Sequence, residues 1–180
     1  MSWIPVIPPD KATGKLKQIY DRFPGGSPDN VLTVHSLRPH TLEGHLSLYK
    51  NVLHHPGNLI PKWFLEALGT FVSYINGCDY CVAHHRKGIK NNLPDSVNFE
   101  EVMTAIRQKQ LELAFTKKEA AAFHYAQKLT LHPSELQPGD ISDLLRLGWD
   151  AGEILEINQV VGYFNYANRT VLGLGVALED

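Results

Sequence analysis

Long apolar runs are missing from this chain of 180 residues: no stretch reaches the roughly 20 apolar residues a membrane-spanning helix needs. The opening residues, Met1-Ser2-Trp3-Ile4-Pro5, lack the basic stretch and apolar core of a secretory leader. No membrane partner is expected, and a cytoplasmic location is. Charge of one sign is lacking as well. With 17 Lys and Arg against 19 Asp and Glu, the net charge is −2, and no global field draws the chain to nucleic acid. Cysteine is scarce, with only 2 residues, which excludes a disulfide scaffold. Alternating strand patterns, internal repeats and low-complexity runs are absent. What is present, 43% apolar and 20% charged residues, is an ordinary globular composition long enough for one domain over 1–180.

The rest of the chain reads as helices. Trp3 to Pro9 carries three prolines and is expected to form an extended arm over 1–9. Laid on its own protomer, that arm would expose Trp3, Ile4, Val6 and Ile7, so it is expected to pack on a neighbouring copy. Leu16, Ile19 and Tyr20 give helical spacing over 10–22, followed by a loop dense in breakers from Phe23 to Asn30. A short helix over 31–37, ended by Pro39, and a longer one over 41–53 come next. Pro61 opens a helix running to about Tyr74, which Asn76-Gly77 closes. The following helix starts at about Cys78 and stops at Asn91 or Asn92, before Pro94. Further helices are expected over 99–108, from the Thr116/Glu119 capping box to about Leu129, over 140–147, and from Asp150 toward Leu172. Short linkers then predict an all-α helical bundle, with the helix pair over 61–92 near its centre.

Both cysteines lie in one motif, Cys78-Asp79-Tyr80-Cys81, with His84-His85 directly after it. An advance of about 100° per residue puts Cys78, Cys81 and His85 inside a sector of about 60°, whereas His84 points about 100° away from His85. Thiols so close can form and break a disulfide with little backbone movement. A helix beginning near Cys78 surrounds that sulfur with free backbone N–H groups, which favours thiolate over thiol. Glu66, on the preceding helix among Phe64, Leu65, Ala67 and Leu68, has the surroundings of a buried acid and can orient His85 as a base for the thiols. These residues point to thiol redox chemistry, which requires no haem, flavin or metal.

Other readings of the same residues remain open. Zinc could be held by the two thiols with His84 or His85 and a further ligand such as His45, His54 or His55. The cysteines could also be small core residues. Arg107, Lys109, Lys117 and Lys118 read as a solvated face. Near the C-terminus, Tyr163, Phe164, Tyr166, Asn165, Asn168 and Arg169 read as packing with a buried polar network, or else Tyr163 or Asn168 lines a pocket over the thiols.

The run Glu66, eleven residues, Cys78-x-x-Cys81-x-x-x-His85 resembles the alkylhydroperoxidase D and carboxymuconolactone decarboxylase superfamily. Ser73-x-x-Asn76-x-Cys78-x-Tyr80-Cys81-x-x-His84-His85 resembles its peroxidase-related subgroup. Phe115-Thr116-Lys117-Lys118-Glu119, and Phe164-Asn165-x-x-Asn168-Arg169 before Leu172-Gly173, are similar to downstream family segments, so that the resemblance spans about 46–176. It implies an all-α fold that associates as a homo-oligomer (dimer, trimer or hexamer). It also implies a thiol-dependent peroxidase acting on hydrogen peroxide or organic hydroperoxides in antioxidant defence. By the resemblance, Cys81 attacks peroxide, Cys78 resolves the product to a disulfide, His85 is the base and Glu66 orients it. A dithiol or thioredoxin-like protein restores the thiols. Ser73, Asn76, Tyr80, His84, Tyr163 and Asn168 are candidate pocket or relay residues. The family's characterised hydroperoxidases carry a histidine between the cysteines, where this chain has Asp79-Tyr80, which leaves His84 as the candidate substitute. The decarboxylase branch lacks the cysteine pair. Besides a peroxidase, the residues are consistent with a disulfide carrier or redox sensor, or with a zinc-binding structural module.

Overall fold

The computed structural model describes residues 2–26 and 28–179, leaving Met1, Asp180 and Ser27 of the breaker-dense loop outside the described residues. Nine α-helices and no strand occur among them: α1 (Gly14–Tyr20), α2 (Asn30–Thr33), α3 (Pro39–Leu53), α4 (Lys62–Ile75), α5 (Asp79–Asn92), α6 (Phe99–Gln108), α7 (Lys117–Leu131), α8 (Pro138–Arg146) and α9 (Ala151–Leu174). None of them is long and apolar enough to cross a membrane. Every residue from Phe64 to Ser73 is buried, so α4 is enclosed on all sides over that span and forms the axis on which α5, α7 and α9 pack. Local chemistry sets many of the helix starts. Thr116 exchanges hydrogen bonds with Glu119 at the head of α7, and Asp150 does so with Glu153 at the head of α9. Asn98 Oδ1 accepts from the Glu100 and Glu101 amides to start α6.

Several boundaries differ from the sequence expectation. The segment over 10–22 is not one helix: a 3-10 turn at Pro9–Lys11 is separated from α1 by extended Thr13. The short helix is confined to Asn30–Thr33. Pro39 does not end it but opens α3, where a proline's missing N–H costs nothing. Pro138 likewise brings the start of α8 forward to Pro138.

Two termini converge on the cysteines. The arm lies on its own chain: the Trp3 amide donates to the Leu174 carbonyl at 2.8 Å, and the Ile7 amide to Ser36 Oγ at 2.8 Å. Ile4 and Ile7 are half-buried there and only Trp3 and Val6 are exposed, which corrects the expectation that all four would need a neighbour's cover. Ile4 packs with Val34, Val171 and Val176 around Cys78 and Cys81, in a small cluster apart from the main core.

The end of α6 supplies a test of backbone strain. Lys109 closes it at φ 57° and ψ 31°, a left-handed conformation that a Cβ disfavours. Lys109→Gly is expected to raise stability by up to about 1 kcal/mol in urea titration, at unchanged m.

Candidate functional site

The α4–α5 turn fixes the first thiol. Gly77, at φ 68°, turns the chain out of α4, while the Cys78 amide bonds back to the Ser73 carbonyl at 2.9 Å and the Gly77 amide to Tyr74 at 3.3 Å. This is a Schellman closure, with glycine at the position where positive φ is cheapest. Cys78 is thereby both the last residue of that closure and the N-cap of α5. It stands one position ahead of the helix rather than inside its first turn, still beside the free amides.

The turn folds α5 back along α4 and brings the expected acid and imidazole together. Glu66 is 2% exposed, and its Oε2 lies 2.7 Å from His85 Nδ1. A ring that donates from Nδ1 keeps Nε2 as the acceptor able to take a proton. Phe164 of α9 meets the His85 ring edge to face, 4.5 Å between centroids. Gly88 allows this approach: a Cβ there would sit 2.5 Å from Glu66 Cδ. The reason for Gly88 was not read from the sequence, although an isolated glycine inside a helix, three residues after His85, is a signal of close approach.

Both cysteines are free thiols and buried. Cys81 lines a cavity of about 550 Å³ whose wall also includes Tyr49, His54, Glu66, His85 and Tyr163; Cys78 does not reach that wall. The two sulfurs titrate as a pair. Cys78 is held below its ordinary value, first by the Cys81 thiol beside it; burial opposes this, the Cys81 amide adds to it and the Asp79 carboxylate opposes it. Cys81 is pushed up, first by Cys78, then by burial, while the Asn168 side chain pulls the other way. The directions are opposite: charge is favoured on Cys78, at the head of α5, and disfavoured on Cys81.

The remaining candidates separate into three groups. Ser73, Asn76 and Asn168 form a chain: Asn168 Nδ2 donates to Ser73 Oγ at 3.1 Å and Asn76 Nδ2 to Asn168 Oδ1 at 2.9 Å. Through Asn168 this buried network touches Cys81. Tyr163 lines the cavity, with its hydroxyl 3.4 Å from His45 Nε2. Tyr80 and His84 also line the cavity, but their polar atoms turn to the C-terminal tail. They stack at 4.4 Å and hold the C-terminal tail, the Tyr80 hydroxyl donating to Glu179 Oε1 and His84 Nε2 meeting Oε2, both at 2.8 Å. Asp29 lies 3.9 Å from the other His84 nitrogen, so both ring nitrogens are turned to carboxylates. Burial raises the Glu179 carboxyl, but the Asn30 amide, the Tyr80 hydroxyl and His84 together hold it at about 2.

Zinc bound through the thiols fares poorly. Among the described residues, the one set of three or more metal-capable groups close enough to share an ion is Asp29, His84 and Glu179, without either cysteine. His55 accepts from the Gly57 amide at 3.0 Å, and His54 packs against Tyr49. His45 is 3% exposed and stays neutral, its pKa lowered to about 4 by burial and then by His35. An unfolded chain protonates this imidazole near 6.5, so stability is complete above that pH and falls as pH drops toward 4, by no more than about 3 kcal/mol. Urea titrations between pH 7 and pH 4.5 should show His45→Gln losing less stability over that window than the parent chain.

No protein-family model matches the chain, and no curated protein does. Its fold is similar to that of solved structures. An uncharacterised peroxidase-related protein of Ralstonia eutropha JMP134, an alkylhydroperoxidase AhpD core, is 19% identical, with 99% of this chain and 93% of that one covered and a TM-score of 0.83. A peroxidase-related protein of Silicibacter sp. TM1040 is 20% identical over 91% of this chain and 82% of that one, at a TM-score of 0.76. A cysteine-to-alanine variant of the debrominase Bmp8, solved with 2,3,4-tribromopyrrole, is 20% identical over 99% and 94% of the respective chains, at 0.75. At 19–20% identity these likenesses carry the fold alone, and the fold is the all-α, alkylhydroperoxidase D-like architecture.

Proposed function

We propose that the chain is a thiol-dependent peroxidase in which Cys81 reduces hydrogen peroxide or an organic hydroperoxide. The observation that carries this reading is the buried Glu66–His85 hydrogen bond opening onto the cavity that Cys81 lines. Transfer of the Cys81 proton to His85 Nε2, or to a Cys78 thiolate, puts the Cys81 thiolate where a substrate can reach it. That thiolate attacks the O–O bond. Cys81 becomes a sulfenic acid, and the leaving alkoxide or hydroxide takes a proton and departs as alcohol or water. Cys78 then displaces water from the sulfenic acid and closes the disulfide. A dithiol or thioredoxin-like protein returns two electrons by exchange. Homo-oligomerisation remains part of this reading, with the exposed side chains of Leu59, Leu155 and Tyr166 available to a second copy.

Purified protein with cumene hydroperoxide and dithiothreitol tests it. Turnover is expected, with none in Cys81→Ser, and a single equivalent of peroxide consumed by Cys78→Ser, trapped as sulfenic acid by dimedone. Turnover no faster than that of Cys81→Ser would sink the peroxidase. In that case a disulfide carrier is tested by insulin reduction. The similarity to a debrominase makes 2,3,4-tribromopyrrole the second substrate to try, since a dithiol supplies the two electrons that replacing bromine by hydrogen requires.

The geometry also sets the scale of two substitutions. Glu66→Gln removes the group that orients His85 and is expected to lower kcat/KM by about 10²-fold or more. Gly88→Ala drives a methyl group into that same carboxylate and is expected to reproduce much of the loss while Glu66 itself is intact. Wild-type rates in Gly88→Ala would show that the Glu66–His85 contact is not used.

A further inference from the structure

Building on the peroxidase reading, we infer that the cavity is made for an anionic organic molecule, a hydroperoxide carrying a carboxylate, whose acid group is held by Lys50, Lys62 and Lys87.

These three lysines come from α3, α4 and α5 and line the same cavity as Cys81. Among the described residues none of the three meets a carboxylate within 4.0 Å, as Lys15, Lys17, Lys118, Lys128 and Arg146 do. Other surface cations are also unpaired; these three are set apart by lining one cavity. The cavity's own acids are otherwise engaged, Glu66 with His85 and Asp29 beside His84. Three cations without partners thus share one opening in a chain whose net charge is −2. A cleft whose unpaired charges are of one sign concentrates ligands of the other sign. Lys62 acts inward as well as outward: after burial, it is the main cause holding the His54 imidazole below its ordinary value, and His54 lines the same wall.

The rest of the cavity defines the other end of the ligand. Leu46, Tyr163 and Ala167 present apolar and aromatic surface. His45, buried and neutral, adds no charge. A cavity of about 550 Å³ lies in the range that holds a small organic ligand and is far larger than hydrogen peroxide needs. An apolar body against this lining, a peroxide at Cys81 and a carboxylate among the lysines together match all three features. A neutral alkyl hydroperoxide uses only two of them.

Two peroxides of nearly equal shape supply the kinetic test: cumene hydroperoxide and its 4-carboxy derivative. In the wild-type chain kcat/KM should favour the acid by about tenfold at low salt, through KM, and the preference should shrink toward one as salt rises to about 1 M. The variant Lys50→Gln/Lys62→Gln/Lys87→Gln should bring the ratio of acid to neutral substrate near one, and Lys62→Gln alone should lower it in part. A binding experiment separates this inference from the peroxidase itself. Calorimetry of 4-isopropylbenzoate with Cys81→Ser should show salt-sensitive binding that the added lysine substitutions abolish. Binding without turnover of either peroxide would keep the acid site and remove the peroxidase. Turnover of both peroxides at equal, salt-independent efficiency, with no binding of the benzoate, would overturn the acid site and leave the peroxidase standing.

Discussion

One buried hydrogen bond, Glu66 to His85, organises the site. A carboxylate 2% exposed and left without a partner would cost several kcal/mol, so its position among apolar neighbours is tolerable only because the imidazole meets it at 2.7 Å. That contact requires the hairpin of α4 and α5 to close tightly. Gly77 provides the reversal, and Gly88 leaves the space a side chain would otherwise fill. Phe164 then presses on the ring from α9, so that the imidazole's plane is set by the core rather than by solvent. The polar contact and the packing thus fix one another.

The thiol pair depends on this arrangement and on the network behind it. The neighbouring Cys81 thiol first, and the Cys81 amide at the head of α5 after it, favour charge on Cys78. Asn168, held by Ser73 and Asn76, is the first of the groups that oppose burial at Cys81, ahead of the Cys81 amide. Accessibility and charge therefore favour different sulfurs: charge is favoured on Cys78, which does not line the cavity, and disfavoured on Cys81, which does. In the proposed mechanism a proton shift at Cys81 reconciles the two.

Both chain ends enclose this centre. The N-terminal arm covers the small apolar cluster around the cysteines, and the C-terminal tail is held by Tyr80 and His84 through Glu179. The Glu179 carboxylate also accepts the Asn30 amide at 2.7 Å, tying the tail to α2, the helix whose Val31 and Leu32 line the cavity. Tyr80, within the motif, and His84, just after it, thus help hold the wall of the site.

The sequence by itself determined the helices and their order, because capping boxes, prolines and 3.6-residue periodicity are local signals. Thr116, Asp150 and the Phe99–Gln108 segment are found as the pattern predicts. Spacing within one helix also placed Cys81 and His85 on a common face. Prolines were less clear, since Pro39 can end one helix or begin the next, and only packing chooses. Tertiary structure alone decided which distant groups meet. The cavity's three lysines lie on different helices. The reason for Gly88 lies on another helix, and the partners of His84 lie near opposite ends of the chain. Periodicity gives the direction a side chain points along its own helix. It carries no information about what stands opposite, since that depends on how helices separated by many residues pack in space.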